Sequence, residues 1–148
     1  MDAVKDHIVS NVTSHLITDH PYYPLEVEIA YLLANEWSVP VLLAAFAGVC
    51  GTVLLLAMMV VNKVSPQLRT VEKATIMWFV LSGSIHLFFE GYFSVNHKAM
   101  GAKQDLFGQL WKEYALSDSR YLTSDPFVLC METITAVSSS PILLPFPR

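Results

Sequence analysis

The chain has 148 residues, of which 53% are hydrophobic and only 15% are charged, and its formal net charge is −4. Such a composition disfavours a soluble globular domain. The acidic balance provides no basic surface for nucleic acid, so we expect no nucleic-acid partner. The two cysteines, Cys50 and Cys130, do not have the spacing of a metal site or of a disulfide framework.

Residues 1–36 are predicted to form a polar, interfacial segment. Acidic and basic side chains interrupt its apolar clusters, so it lacks the continuous core of a signal peptide. The prolines in His20–Pro24 predict an extended segment rather than a helix interior. Asn11 begins a glycosylation sequon, which matters only if this end of the chain is lumenal.

Two apolar runs predict membrane-spanning helices. The run Pro40–Val61 has no charged side chain and is long enough for a ~30 Å hydrocarbon core at about 1.5 Å per residue. The second run, Thr75–Val95, follows a short loop that carries Lys63, Arg69 and Lys73. The positive-inside rule places this loop in the cytosol and the flanking segments in the lumen.

The second apolar run contains one histidine and one glutamate, His86 and Glu90. Their spacing of four places both on one face of a helix. Burying a carboxylate in a membrane costs on the order of 2.5–3.5 kcal/mol, so such residues usually face a bundle interior and carry function. Proton transfer and binding of a cationic ligand are the functional interpretations. A polar pair that only joins two helices is the structural alternative.

Two features follow in the polar, aromatic stretch after the second run. One is a set of apolar residues at helical spacing, which predicts a short amphipathic helix on the membrane surface; its members are Leu106, Phe107, Leu110 and Tyr114. The other is the segment Asp118–Tyr121, which offers an acid, a hydroxyl and a guanidinium in one turn. An ordinary interfacial loop held by a local ion pair is the alternative for that turn.

A third apolar helix is predicted to begin at Pro126 and to carry Glu132 and Thr135 on one face. Two glutamates and a histidine on neighbouring apolar helices can hold a proton, deliver it and accept another. The same acids could instead neutralise a bound amine. The sequence shows no nucleophilic triad order, no glycine-rich phosphate loop and no metal-ligand cluster.

These residues resemble the emopamil-binding protein family, whose best-known members are the sterol Δ8–Δ7 isomerases of the endoplasmic reticulum. The resemblance runs from about His20 to Ala136 and rests on four segments in order: GSIHLFFEGYF (83–93), QLWKEYA (109–115), DSRY (118–121) and CMETITA (130–136). It implies an all-α, polytopic membrane helix bundle, multi-pass in the endoplasmic reticulum. Residues 37–136 would be a partial EXPERA-type domain, with two full transmembrane helices and the start of a third out of five.

The resemblance also implies an enzyme that shifts a sterol double bond from Δ8 to Δ7 by protonation and deprotonation, with neither metal nor cofactor. By match to the family motifs, the residues that shuttle and hold the proton are His86, Glu90, Glu132 and Thr135. The residues that line the sterol cavity are Tyr114, Tyr121 and Met131. Sterol and membrane lipid would be the partners. A membrane protein that binds sterols or cationic amphiphiles without turnover is the alternative.

Residues 137–148 diverge from the family pattern, because serines and prolines stand where the third helix should continue. We therefore expect a C-terminally truncated form that is inactive by itself and whose Glu132 faces lipid or water. A regulatory fragment is a further alternative. Small residues in the first apolar run would let it pair with a full-length copy or as a homodimer.

Overall fold

A computed structural model describes residues 20–138, and every regular element within this range is helical. The α-helices are α1 (Val39–Val64), α2 (Thr70–Ser84), α3 (Gly91–Asn96), α4 (Leu106–Tyr114) and α5 (Pro126–Ser138). A π-helical segment, Ile85–Glu90, joins α2 to α3, and the 3₁₀ turns are His97–Ala102 and Ser119–Tyr121. The predictions for Asn11 and for the tail after Ser138 lie outside the described residues.

Both predicted apolar runs form helices that are long and apolar enough to cross a membrane. The first is α1, which begins with Pro40 in its first turn, where a missing N–H costs little. The second is a helical stretch, Thr70–Ala102, here called the 70–102 helix, which extends beyond the predicted run at both ends and is kinked at Ala99. Its start is closed by Glu72, whose Oε2 accepts the backbone N–H of Arg69 at 2.8 Å. The two long helices pack along each other.

The buried core lies at the end of the 70–102 helix rather than between the two long helices. Its residues come from the segment before α1, the 70–102 helix, α4, the second 3₁₀ turn and α5; they are Tyr22, Ile29, Phe93, Met100, Trp111, Ala115, Tyr121, Leu122 and Val128. The described part of the segment predicted to be polar and interfacial therefore supplies two core residues. The segment before α1 is bound to the end of the 70–102 helix, where Leu33 N donates to Gly101 O at 2.9 Å.

The predicted short helix is confirmed as α4, and Asp105 caps it by accepting the backbone N–H of Gly108 at 3.1 Å. Its predicted location on the membrane surface stays a prediction. The fully buried residues of α4 are Gly108, Gln109, Trp111 and Lys112, whereas Tyr114 is 52% exposed. The helix therefore buries a mixed face with two long polar side chains.

The two polar side chains are buried because they bind the backbone just before α1. Gln109 Oε1 accepts the N–H groups of Glu36 and Trp37 at 2.8 and 2.9 Å. Lys112 Nζ donates to Leu33 O at 2.8 Å, and burial lowers the pKa of this amine. We call these contacts the Gln109–Lys112 clamp. It fixes the segment that enters α1 against α4.

The third apolar helix begins where the sequence predicts. Pro126 is the first residue of α5, and Asp125 Oδ1 accepts the N–H groups of Phe127 and Val128 at 3.0 and 3.1 Å. The helix packs against the π-helical segment and α3. It continues through Ser138, and so includes the first two residues of the predicted divergent tail.

Candidate active site

The π-helical segment brings His86 and Glu90 together where it faces α5. His86 Nδ1 lies 2.6 Å from Glu90 Oε1, so the predicted proximity of the two side chains is observed. π-helical turns are rare and occur frequently at functional sites. The apolar pattern gave no sign of this one, because it does not distinguish a π-helical turn from an α-helical one.

The second oxygen of Glu90 is bound from α5. Thr135 Oγ1 donates to Glu90 Oε2 at 2.6 Å. Three of the predicted catalytic side chains thus form one hydrogen-bonded row, His86–Glu90–Thr135, in which each carboxyl oxygen has a partner.

The fourth predicted catalytic residue, Glu132, lies on α5 with only 7% of its surface exposed. The expectation that Glu132 faces lipid or water is therefore wrong. The physical reason is the second 3₁₀ turn, which places Tyr121 over α5 so that its hydroxyl donates to Glu132 Oε1 at 2.9 Å. Burial, and then this hydrogen bond, raise the pKa of Tyr121.

The residues predicted to line a sterol cavity differ in their solvent exposure. Tyr121 is buried and bound to Glu132, whereas Tyr114 is 52% exposed and Met131 is 40% exposed. The Tyr114 ring lies against the edge of Tyr121, with centroids 5.0 Å apart.

Trp111 lies between the π-helical segment and the second 3₁₀ turn, and it was not predicted as a functional residue. Its ring stacks on Phe89 of the π-helical segment at 4.5 Å and on Tyr121 at 5.0 Å. Its Nε1–H also donates to Phe89 O at 3.1 Å. The available signal was its position within the segment QLWKEYA, one of the four segments that carry the family resemblance.

Comparison with known proteins finds similar sequences. Residues 106–145 match the family model described as EXPERA (EXPanded EBP superfamily). The chain is 34% identical over 137 residues to the 3-beta-hydroxysteroid-Delta(8),Delta(7)-isomerase of Rattus norvegicus. The matched region covers 90% of this chain and 58% of the rat protein. The proteins of the same name from Cavia porcellus and Mus musculus are 33% identical over 126 residues and 31% identical over 134 residues. These matches cover 84% of this chain and 55% of the guinea-pig protein, and 90% of this chain and 58% of the mouse protein.

The chain is similar to proteins of the EBP family. It spans somewhat more than half the length of the curated relatives it matches. The family match in residues 106–145 includes α4, the second 3₁₀ turn and α5, and thus the elements that carry Tyr121, Glu132 and Thr135.

The turn Asp118–Tyr121 contains the predicted local ion pair. Arg120 Nη2 lies 2.7 Å from Asp118 Oδ2, and Arg120 Nε donates to both carboxylate oxygens at 3.0 and 3.1 Å. Hydrogen bonding from the guanidinium lowers the pKa of Asp118.

A cavity of about 220 Å³ opens beside His86 on the outer surface of the 70–102 helix. Its other walls are mostly apolar and consist of Trp78, Leu81, Ser82 and Ile85. Within residues 20–138, no group of three histidine, cysteine or acidic side chains is placed to hold a metal ion.

Proposed function

We propose that this chain provides the proton-transfer site of a sterol Δ8–Δ7 isomerase. The observation that carries the proposal is the 2.6 Å hydrogen bond from Thr135 of α5 to Glu90 of the π-helical segment, because it joins Glu90 to the helix that carries the buried Glu132. The names of the mammalian relatives support the same activity.

The proposed reaction moves a double bond without a net change in atoms. A proton adds to C9 of the Δ8 sterol, positive charge develops at C8, and a proton leaves C7 to give the Δ7 product. The enzyme therefore needs an acid that protonates one ring carbon and a base that removes a proton from another. Carboxyl groups in an apolar site can serve in both roles. Carboxylates also stabilise the developing cation, more strongly in apolar surroundings than in water.

Each proposed catalytic side chain has a task that follows from its contacts. Glu90 and Glu132 exchange protons with the sterol. His86 is 2.6 Å from Glu90 and accepts or returns a proton through this contact. Thr135 holds the second oxygen of Glu90, so that the carboxyl group keeps one orientation. Tyr114, Tyr121 and Met131 are proposed to contact the sterol.

We also propose that α1, the 70–102 helix and α5 are the first three spans of a five-helix, multi-pass protein of the endoplasmic reticulum membrane. The two long helices support this arrangement by their length and by mean hydropathies of 2.5 and 1.3 over their most apolar windows. The curated relatives support it through the sterol chemistry in their names, because sterols partition into membranes.

The proposal is tested in a chimera in which this chain replaces the matched part of the rat relative. Cells that lack the isomerase are expected to convert Δ8 sterols to Δ7 sterols when they express the chimera, as measured by sterol profiling. Glu90→Gln and Glu132→Gln should each abolish conversion, because an amide keeps the shape but does not exchange a proton at a useful rate. The matched control is Glu28→Gln, a change at an exposed glutamate before α1.

Substantial conversion by both glutamine variants would refute the acid–base assignment. Absence of conversion by the unmodified chimera, despite its presence in the membrane at normal abundance, would refute the proposed activity.

A further inference from the structure

We propose that the ion-paired turn formed by Asp118 and Arg120 is a positioning element, which acts through Tyr121 to hold the carboxyl group of Glu132. The inference rests on the proposed function, because the orientation of this carboxyl group matters to a reaction only if Glu132 transfers a proton. It gives a task to two residues outside the proposed catalytic group.

The turn is closed by the side chain of Asp118. Its Oδ1 accepts the backbone N–H of Arg120 at 3.1 Å, and its two oxygens also receive the Arg120 guanidinium in the fork-like arrangement described above. Two planar groups joined in this manner have little freedom relative to each other. Tyr121 N donates to Asp118 O at 3.3 Å, so the backbone that carries Tyr121 belongs to the same closed turn.

The Tyr121 ring is fixed from several sides once its backbone is fixed. Trp111 stacks on it at 5.0 Å, and Phe93 and Tyr114 meet it edge-on at 5.4 and 5.0 Å. Only 6% of Tyr121 is exposed. Aromatic pairs at these separations have favourable geometry, so rotation of the ring out of its place would lose three contacts at once.

The hydroxyl of this fixed ring reaches Glu132 Oε1 at 2.9 Å in a buried setting. Glutamate has a flexible side chain, and a hydrogen bond to one oxygen restricts where the other oxygen points. Catalytic groups need this restriction, because a displacement of about 1 Å can cost about a hundredfold in rate. A shift of the turn would therefore reach Glu132 through one residue.

A purely structural role for the ion pair makes a different prediction. The side chains of Arg120 and Asp118 are 52% and 30% exposed, and exposed ion pairs contribute little to the free energy of unfolding. If stabilisation were their only task, their removal would leave Glu132 unaffected.

The test uses the full 148-residue chain reconstituted in lipid vesicles and examined by infrared spectroscopy. The Glu132 carboxyl band is identified as the band that disappears in Glu132→Gln. Tyr121→Phe is expected to move this band to higher wavenumber, because the oxygen loses its hydrogen-bond donor. Asp118→Asn, which retains an oxygen to cap Arg120 N–H but loses the charge, is expected to move the band in the same direction.

The decisive variant combines Asp118→Asn with Tyr121→Phe. Because the proposed link passes through the Tyr121 hydroxyl, Asp118→Asn should cause no further shift in the Tyr121→Phe background. Arg120→Gln breaks the same ion pair by removing the cation instead of the anion. It replaces Asp118→Asn in the test if that variant does not fold. The matched control is Glu72→Gln, which breaks the 3.0 Å ion pair with Arg69 at the start of α2 and should leave the band in place.

Turnover is measured separately in the chimera described above. There, Asp118→Asn should lower kcat roughly fivefold to tenfold and leave KM unchanged, since misplacement of a catalytic group affects the transition state rather than sterol binding. An unmoved band in both Asp118→Asn and Arg120→Gln, or equal shifts in both Tyr121 backgrounds, would overturn the inference. Failure of the unmodified chimera to convert Δ8 sterol would instead overturn the proposed function and would not alter the band positions.

Discussion

The Thr135 hydroxyl has three hydrogen-bond acceptors within reach, and their distances indicate its role. Its hydroxyl lies 2.6 Å from Glu90 Oε2 and 3.1 Å from the carbonyl oxygens of Met131 and Glu132. Hydroxyl groups inside helices commonly donate to a carbonyl in the preceding turn. The much shorter contact to Glu90 is typical of a hydrogen bond to a carboxylate. Thr135 therefore joins α5 to the π-helical segment through its side chain.

Replacement of Thr135 by valine in the chimera should lower kcat roughly tenfold to a hundredfold, because the partly buried Glu90 carboxyl group loses a hydrogen bond that water cannot fully replace. Thr135→Ser retains the hydroxyl and should retain most activity. The matched control is Thr133→Val on the same helix, whose hydroxyl contacts Ser94 Oγ at 3.1 Å and Leu129 O at 2.7 Å. Similar losses in the two valine variants would show that any hydroxyl lost from α5 is harmful.

The residue pairs of the site differ in how far the sequence could predict them. His86 and Glu90 are four apart on one helix, so their proximity follows from local geometry alone. Tyr121 and Glu132 belong to different elements, and their contact depends on the path of the chain between the 3₁₀ turn and α5. Residue spacing does not encode that path.

At the scale of elements, the helices could be predicted more fully than their packing. The apolar runs predicted α1 and the 70–102 helix, and the apolar run that resumes at Pro126 predicted the start of α5. The buried face of α4 was not predictable from periodicity, because the partners of Gln109 and Lys112 are backbone groups more than seventy residues earlier in the chain. A polar side chain can be buried wherever distant backbone groups satisfy it.

Lys112→Met is expected to destabilise the fold by about 1–3 kcal/mol, because Leu33 O and Gln104 Oε1 both lose their hydrogen-bond donor. Thermal unfolding in detergent micelles measures the effect. The matched control is Lys98→Met, a change at an exposed lysine in the first 3₁₀ turn. Unfolding temperatures that fall equally, or that do not fall in Lys112→Met, would mean that the clamp does not stabilise the segment before α1.

The stretch Lys63–Lys73, which includes the connection between α1 and the 70–102 helix, is expected to be cytosolic, because its three cations outnumber its single acid. In the structure Lys73 Nζ donates to Asn62 Oδ1 at 2.7 Å, which closes this short loop. A cysteine introduced by Ser65→Cys should react with a membrane-impermeant maleimide in sealed microsomes. The unmodified chain, with Cys50 and Cys130, provides the background signal. Labelling that requires permeabilisation would reverse the topology.

At the scale of the whole molecule, the buried core and its polar contacts lie in one region, and the exposed apolar side chains lie in another. The aromatic core, the clamp and the ion-paired turn gather at one end of the 70–102 helix. Along the two long helices, many large apolar side chains are exposed, among them Leu55, Met59 and Trp78. Lipid is as apolar as these side chains, so this exposure carries no penalty in a bilayer. The site residues His86 and Glu90 lie between the two regions.

This arrangement leads to a prediction about how a sterol reaches the site. We predict that the cavity beside His86, whose walls all belong to the 70–102 helix, faces the bilayer, so that a dissolved sterol can approach it laterally without crossing water. Ser82 is one of its walls, and Ser82→Phe in the chimera should fill much of the cavity and raise the KM for a Δ8 sterol, with a smaller effect on kcat. Conversion is measured in vesicles over a range of sterol fractions. Ala47→Phe, which adds the same ring at an exposed position of α1, is the matched control and should leave KM unchanged. An unchanged KM in Ser82→Phe would exclude this side of the 70–102 helix as the route, because a phenylalanine there would obstruct any sterol that passes Ser82 on its way to His86.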